Sequence, residues 1–186
     1  MDESILELLK KAGEFSEKES SLLRQELQYR KLEKDSFLLK KGDTCSSVYF
    51  VISGSLYQYN TDSNLDKNFI DLYISNDWVI SHKSFTSRTP SKYSIQAFED
   101  SSVYELSIES MHKLIGLSQS FLQMGKILEE STSRIDFFDN NNTPDEKYNH
   151  LLKSKPKLIH KFPQKIIASY LKITPETLSR VRKRIK

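Results

Sequence analysis

The spacing of apolar residues along the chain changes in a way that predicts where helices and strands lie. Near the N-terminus apolar residues recur at helical spacing from Ile5 to Ala12, and Ser16 with Glu19 forms a capping box before a second helical stretch. From about Tyr29 the period shortens to two, in short runs rich in β-branched and aromatic residues that are separated by turn residues. The pattern predicts two short helices followed by six to eight short strands.

A third pattern, with apolar residues at alternating steps of three and four, lies in the second half of the chain. Its eight positions, seven of them apolar, are Leu114, Leu117, Phe121, Met124, Leu128, Ser131, Ile135 and Phe138. This heptad spacing predicts a long helix over residues 109–139. The predicted seam of a homodimer consists of Leu114, Leu117, Phe121, Met124, Leu128 and Ile135. A single helix packed on its own β-domain is the alternative that the pattern leaves open. The run DNNN at residues 139–142 interrupts the pattern and predicts a hinge.

Two proline-led helices separated by a short turn are predicted within residues 161–185. Pro163 suits the start of the first helix, because a first helical residue needs no N–H donor. The apolar residues of this helix share one face and are Ile166, Ile167, Tyr170 and Leu171. Thr174 offers an N-cap hydroxyl to the second helix, and Pro175 fits its first position. The apolar face of the second helix is Leu178, Val181 and Ile185. The arrangement predicts a helix-turn-helix, a motif that binds double-stranded DNA.

The charge of the chain is unevenly distributed. Residues 147–186 contain 12 Lys and Arg and one acid, Glu176, which gives +11. The other residues contain 16 basic and 24 acidic side chains, which gives −8, in agreement with the net charge of +3. A basic end on an otherwise acidic chain suits a protein that lays that end on a polyanion. The alternative is a solvated pair of basic helices, and the periodicity and the caps argue against it.

The segment IASYLKITPETLSRVRKR, residues 167–184, resembles the C-terminal DNA-binding segment of the Crp-Fnr family of bacterial transcription regulators. The resemblance implies that the second helix enters the major groove, with Glu176, Thr177 and Arg180 at base edges. Arg180 would hold a guanine, and Glu176 would accept from a cytosine amine. Phosphate contacts are expected from the other polar residues of the two helices, Gln164, Lys165, Ser179, Lys183 and Arg184. Thr174 completes the predicted DNA-binding set as the cap of the reading helix.

Two departures from the family pattern are visible. Lys172 holds the turn position at which relatives usually have Gly, and it could adopt a left-handed conformation there only at a cost of about 1 kcal/mol. The sequence also contains no segment for the β-hairpin wing that follows the reading helix in many relatives. Contacts between a wing and DNA are therefore not expected.

Residues 38–59, LLKKGDTCSSVYFVISGSLYQY, resemble part of the cyclic-nucleotide-binding β-roll of the same family. The resemblance implies that Gly42 and Gly54 serve turns that need a positive φ. Turn glycines of any β-sandwich would look the same when each is taken alone. Together with the C-terminal resemblance, they predict an antiparallel roll of the family type.

The effector pocket of this roll departs from the family at every position that can be compared. An alignment without gaps places Ile80 and Ser81 where nucleotide-binding relatives have Gly-Glu, and Ser91 and Lys92 where they have the Arg-Ser pair that grips the phosphate. A buried phosphate would lack its bidentate arginine, so cyclic AMP is not the expected effector, and no cofactor is predicted. Nearby cations that could attract another anion are His82, Lys83, Arg88 and Lys92, with a solvated loop as the alternative.

Composition excludes several other classes of protein. With 186 residues, 37% of them hydrophobic, the chain can form one sizeable core and a small second domain, and no stretch approaches the roughly 20 apolar residues of a membrane span. A cytoplasmic protein is expected. The lone Cys45 excludes an intramolecular disulfide and an iron–sulfur cluster. The four histidines lack metal-site spacing, so an enzyme on a cupin-like roll is not expected.

The sequence thus predicts an α+β protein in three parts. Residues 1–108 form N-terminal helices and an antiparallel, jelly-roll-like β-roll, residues 109–139 the dimerisation helix, and residues 140–186 an all-α helix-turn-helix domain without a clear wing. The expected function is sequence-specific regulation of transcription by a homodimer at a pseudo-palindromic operator, with RNA polymerase as a further partner. The alternative is a regulatory subunit whose β-roll binds a nucleotide or a protein without binding DNA.

Overall fold

The computed structural model describes residues 3–63, 66–129 and 142–185, together with residues 135 and 138. Two helices open the chain, α1 at Glu3–Ala12 and α2 at Glu17–Glu26. The predicted capping box is present: Ser16 Oγ accepts from the Glu19 N–H at 3.3 Å, and the Glu19 carboxylate accepts from the Ser16 N–H at 2.8 Å. Local sequence therefore determines where α2 begins.

Within the described residues, eight short strands follow and form the predicted antiparallel roll. They are β1 Gln28–Leu32, β2 Phe37–Leu39, β3 Ser47–Ser53, β4 Ser55–Thr61, β5 Lys67–Ile74, β6 Trp78–Val79, β7 Ser94–Ala97 and β8 Ser101–Ser107. Two four-stranded sheets result, with strand orders β1-β8-β3-β6 and β2-β7-β4-β5. A short helix, α3 at His82–Ser87, connects β6 to β7.

Two turns of the roll depend on glycine, as the sequence predicts. Gly42 has a φ of 98° and Gly54 a φ of 87°. At Gly54, which joins β3 to β4, an added Cβ would lie 2.7 Å from the Asp100 carbonyl oxygen. A larger residue at position 54 would therefore have to displace backbone as well as adopt an unfavourable φ.

Side chains between the two sheets form the main core, and β4 and β5 contact both this core and a second one. The two strands pair with Leu56 opposite Tyr73 and Tyr57 opposite Leu72. Leu56 and Tyr73 are buried between the sheets, whereas Tyr57 and Leu72 belong to a cluster with the C-terminal helices. Since successive strand residues point to opposite faces, this hairpin joins the two parts of the protein.

The stretch predicted as one long helix is broken into separate pieces. The helix α4 spans Ile108–Leu117, a 3-10 helix spans Gln119–Met124, and helical residues 125–129 form the described part of α5. The break lies at Ser118, whose φ of −156° and ψ of 131° are extended and whose side chain caps the 3-10 helix. The prediction of a continuous helix over residues 109–139 is therefore wrong, because Ser118 leaves the helical conformation to cap the 3-10 helix although the apolar repeat continues across it.

Burial also changes the interpretation of the predicted dimer seam. Leu114 and Phe121 are 0% exposed and Met124 is 2% exposed, all within the core of the chain's own roll. These three residues are not available to a partner, because heptad spacing shows that a face is apolar but not which surface covers it. Leu117 is 57% exposed. The other two predicted seam residues are partly buried and are Leu128 and Ile135. Ser131 and residues 139–141 of the predicted hinge lie outside the described residues.

Four helices form the described C-terminal part of the chain. They are α6 Pro144–Ser154, α7 Pro156–Lys161, α8 Gln164–Tyr170 and α9 Pro175–Arg184. Thr143 and Glu146 form a second capping box at the start of α6. The buried residues that hold the helices together include Tyr148, Leu151, Leu158, Ile167, Leu178 and Val181. Among the described residues, none of the helices has the length and apolar character needed to cross a membrane.

Candidate nucleic-acid interface

The helix α9 begins with the N-cap that the sequence predicts, Thr174. Thr174 is extended, with φ −79° and ψ 156°, and its hydroxyl accepts from the Thr177 N–H at 3.2 Å. Pro175 follows at the first helical position, where no amide donor is needed. This cap defines the first turn of α9 and hence the directions in which its later side chains project.

The turn between α8 and α9 has a lysine in the left-handed conformation. Lys172 has a φ of 57°. Its N–H donates to the Ser169 carbonyl at 3.0 Å, and the Ile173 N–H donates to the Ala168 carbonyl at 3.0 Å. These bonds satisfy carbonyl groups at the end of α8, so the helix ends normally despite the missing glycine.

The helix α9 has one buried face and one open face. Leu178 and Val181 are 1% and 0% exposed and pack in the same cluster as Ile167 and Ala168 of α8. Ile185 is partly buried against this cluster. The predicted polar face is exposed at Glu176, Arg180, Lys183 and Arg184 and partly exposed at Thr177 and Ser179.

The structure brings most of the predicted DNA-binding residues together at one open cleft of about 560 Å³. The cleft lies between α8 and the outer face of α9 and is lined by Gln164, Lys165, Pro175, Glu176, Ser179, Arg180 and Lys183. Gln164 Nε2 donates to the Pro175 carbonyl at 3.0 Å, which ties the start of α8 to the start of α9. The cleft therefore presents cations from both helices together with one carboxylate, Glu176.

The other three predicted residues are engaged elsewhere. Thr174 Oγ1 lies 3.1 Å from Thr177 Oγ1, so both hydroxyl groups belong to the cap of α9. The Arg184 guanidinium donates to both carboxylate oxygens of Asp145, at 2.7 and 2.8 Å. Both of these charged side chains remain about half exposed, and ion pairs of that kind contribute little stability. A phosphate could therefore replace Asp145 as the partner of Arg184.

The carboxylate in the cleft is held in its charged form. A hydrogen bond from its own backbone N–H, and then one from the Thr174 hydroxyl, lowers the pKa of Glu176, with a smaller contribution from the charge of Arg180. An ionised carboxylate is only an acceptor of hydrogen bonds. Glu176 is therefore suited to accept from an exposed amine such as that of cytosine.

The predicted effector pocket is only partly assembled. Ser81 and Ser91 are 3% and 4% exposed, and their Oγ atoms lie 2.9 Å apart. Ile80 is 1% exposed in the roll core, whereas Lys92 is exposed at the surface. The nearby Arg88 donates from Nη1 to the Cys45 carbonyl at 2.8 Å. Ser91 Oγ also donates to the Tyr93 carbonyl at 2.8 Å and accepts from the Tyr93 N–H at 3.1 Å, so the serine pair is bonded within the loop, and Lys92 is exposed apart from it.

Sequence reasoning missed a polar group inside the roll. Gln58 and Asp71 lie opposite each other on β4 and β5 and are 2% and 0% exposed. The Tyr73 hydroxyl, which is also buried, donates to Gln58 Oε1 at 2.8 Å. The strand period of two could have located them, because Gln58 is in phase with Leu56, and Asp71 with Tyr73.

Comparison with known proteins agrees with this fold. Residues 29–117 match the cyclic nucleotide-binding domain family. The structure of FixK2 from Bradyrhizobium japonicum is similar, with a TM-score of 0.67, 18% identity and coverage of 86% of this chain and 84% of that chain. A variant of CooA from Carboxydothermus hydrogenoformans has a TM-score of 0.66 and 18% identity, and covers 100% of this chain and 85% of that chain.

The catabolite activator protein of Thermus thermophilus is also similar, with a TM-score of 0.54, 19% identity and coverage of 92% of this chain and 84% of that chain. No curated protein is a significant sequence match. The fold defines a protein with a β-roll of the type found in cyclic nucleotide-binding domains, followed by C-terminal helices. The resemblance to Crp-Fnr regulators is confirmed for the β-roll, which residues 29–117 form, and for the overall fold, which the chain shares with FixK2 and CooA.

Proposed function

We propose that the protein is a sequence-specific transcription regulator of the Crp-Fnr type and that α8, the turn and α9 form its helix-turn-helix. The observation that supports this proposal most strongly is the cleft that Arg180, Lys183 and Lys165 line together with Glu176. Arginine is the commonest partner of guanine in the major groove, and lysines hold phosphates without reading sequence. The charge of +11 over residues 147–186 adds a general attraction for a polyanion.

A homodimer is part of the same proposal. Leu117, the last residue of α4, and Leu122, within the 3-10 helix that follows, are 57% and 61% exposed. Large exposed apolar side chains close together favour a protein contact, so the dimer contact is proposed near these two residues. Two-fold symmetry would place two reading helices about 34 Å apart on a pseudo-palindromic operator.

The effector of this regulator is proposed to differ from cyclic AMP. A phosphate grip needs a fixed cation, and the four compared positions supply two serines, an isoleucine and a lysine that points to solvent. Titration with cyclic AMP is therefore expected to leave the melting temperature unchanged, because a ligand stabilises a fold only by binding it.

Selection of bound sites from a random DNA pool tests the function. The expected result is a pseudo-palindrome whose half-sites are one helical turn, about 10 base pairs, apart. Recovery of no motif would contradict sequence reading, dimerisation and spacing together. The alternative, a regulatory subunit that uses its roll without DNA, draws support from the family match being confined to residues 29–117. It predicts no salt-dependent retardation of random duplex in a gel-shift titration.

A further inference from the structure

The outer face of the β4–β5 hairpin is covered by the C-terminal helices. Tyr57, Tyr59, Phe69 and Leu72 are at most 8% exposed and form one cluster with residues of α6 to α9. Next to them, the rings of Phe98 and Phe162 have centroids 5.0 Å apart. The β-roll and the C-terminal helices are thus joined by an aromatic surface as well as by the chain between them.

The edge of β5 is capped by side chains from α8 and the turn. β5 is the last strand of its sheet, so its outer backbone groups have no neighbouring strand. The Phe69 N–H donates to Ser169 Oγ at 3.2 Å, and the Phe69 carbonyl accepts from Lys172 Nζ at 3.1 Å. Two side chains therefore occupy the place of a strand at the centre of this edge.

Two ion pairs hold the same surface on either side. Lys155, between α6 and α7, lies 2.8 Å from Asp77, with side chains 16% and 10% exposed. Asp77 also accepts from the Ile74 N–H at 3.0 Å, so this pair fixes the turn that follows β5. Lys161 at the end of α7 lies 2.5 Å from Glu99.

We propose that Ser169 and Lys172 are positioning residues that fix the α8–α9 pair to the edge of β5 and thereby set the orientation of the reading helix. A glycine at position 172 would form the same turn with less strain. The lysine gives in return a long cationic side chain that reaches a backbone carbonyl 103 residues away in the sequence. The orientation of α9 is then coupled to β5 directly, and not only through α4 and α5.

The effect on DNA depends on the proposed function, whereas the docking itself does not, so the two are measured separately. Docking is measured in the full-length protein without DNA, as hydrogen exchange at the Phe69 amide, whose acceptor is Ser169 rather than Lys172. In Lys172→Gly this exchange should accelerate roughly tenfold, the size expected for one lost hydrogen bond to a charged group. The Ile173 amide inside the turn should stay protected. Unchanged exchange at the Phe69 amide would overturn the proposal that Lys172 fixes α8 and α9 to the edge of β5.

Two further variants separate the tether from the strain of the turn. Lys172→Met keeps a side chain at the left-handed backbone position but has no donor. Hydrogen exchange at the Phe69 amide should therefore accelerate as it does in Lys172→Gly. Lys172→Arg keeps a long cationic side chain, so the Phe69 amide should stay as protected as in the wild-type protein. If hydrogen exchange at the Phe69 amide slows in one of Lys172→Met and Lys172→Gly and accelerates in the other, or accelerates in Lys172→Arg as well, the effect comes from strain in the turn. Either result would contradict the proposal.

The DNA measurement uses an operator with half-sites one turn apart and a second one lengthened by two base pairs. A fixed reading helix favours one spacing, so Lys172→Gly should reduce the preference for the shorter operator by roughly tenfold, whereas the loss of one charge from the basic segment should weaken all duplexes alike. If exchange at the Phe69 amide accelerates but the relative affinity for the two operators does not change, the positioning role is refuted. If the wild-type protein binds no duplex at all, the proposed function fails, and the exchange measurement still decides the tether.

Discussion

Replacement of Arg180 by alanine is the most direct test of base reading. The Arg180 side chain is exposed on α9 and lines the cleft with Glu176, so its removal leaves no cavity and no buried group without a partner. A bidentate contact with guanine discriminates by about 1 to 3 kcal/mol, which corresponds to roughly 5- to 150-fold in Kd. We expect this loss on the selected operator and little change on random duplex.

The assay is fluorescence anisotropy with the operator and with a shuffled duplex, each at several salt concentrations. Lys183→Ala provides the contrast: it should weaken both duplexes alike and reduce the salt slope by about 0.9, the value for one phosphate contact. Arg182→Ala is the matched control, because Arg182 is an exposed cation of the same helix that does not line the cleft. Arg182→Ala should leave the ratio of the affinities for operator and shuffled duplex unchanged.

Equal losses on both duplexes for Arg180→Ala would refute the base-reading role. In that case Arg180 would act as a phosphate contact, and the salt slope would fall as it does for Lys183→Ala. An unaltered urea midpoint in all three variants would show that the comparison concerns binding rather than folding.

Three further predictions concern the fold. Thr174→Ala should lower the free energy of unfolding by about 1 kcal/mol in urea because α9 loses its N-cap, whereas Thr174→Ser should lose nothing because serine caps at least as well, and equal losses would contradict the cap. Cys45 is 1% exposed and burial raises the pKa of its thiol, so a thiol reagent at pH 8 should label it only after unfolding, and fast labelling of the native protein would contradict its burial. Hydrogen bonds from Ser118 and then Ser16 lower the pKa of Glu19 from 4.5 to about 2, so the carboxylate stabilises the fold above pH 4.5 and loses this effect as the pH falls toward 2. Glu19→Gln should therefore narrow the difference between urea midpoints at pH 6 and pH 3, and an unchanged difference would disprove the contribution.

Features that depend on neighbours in the chain were predictable from the sequence. The caps at Ser16 and Thr174 require only a hydroxyl residue before a helix, and the turns at Gly42 and Gly54 require only the backbone freedom of glycine. The open face of α9 follows from its period in the same way. These signals are local, so the fold does not have to be known to interpret them.

Features that depend on distant contacts were not predictable. The spacing of Leu114, Phe121 and Met124 indicates an apolar face, but only the fold shows that the chain's own roll covers it. The strain at Lys172 was visible in the sequence, whereas its partner on β5 was not. Likewise, an alignment places Ser81 and Ser91 ten residues apart and gives no sign that their hydroxyl groups meet.

Because α8 and the turn after it cover the edge of β5, the β-roll and the C-terminal helices of this protein cannot easily be combined with those of other proteins. A roll expressed without its C-terminal helices would present the free backbone groups at Phe69 and a patch of aromatic rings to other chains, a combination that templates β-sheet aggregation. The β-roll and the C-terminal helices are therefore not independently exchangeable. A chimera that joins this roll to foreign C-terminal helices needs residues equivalent to Ser169 and Lys172 to cover the edge of β5.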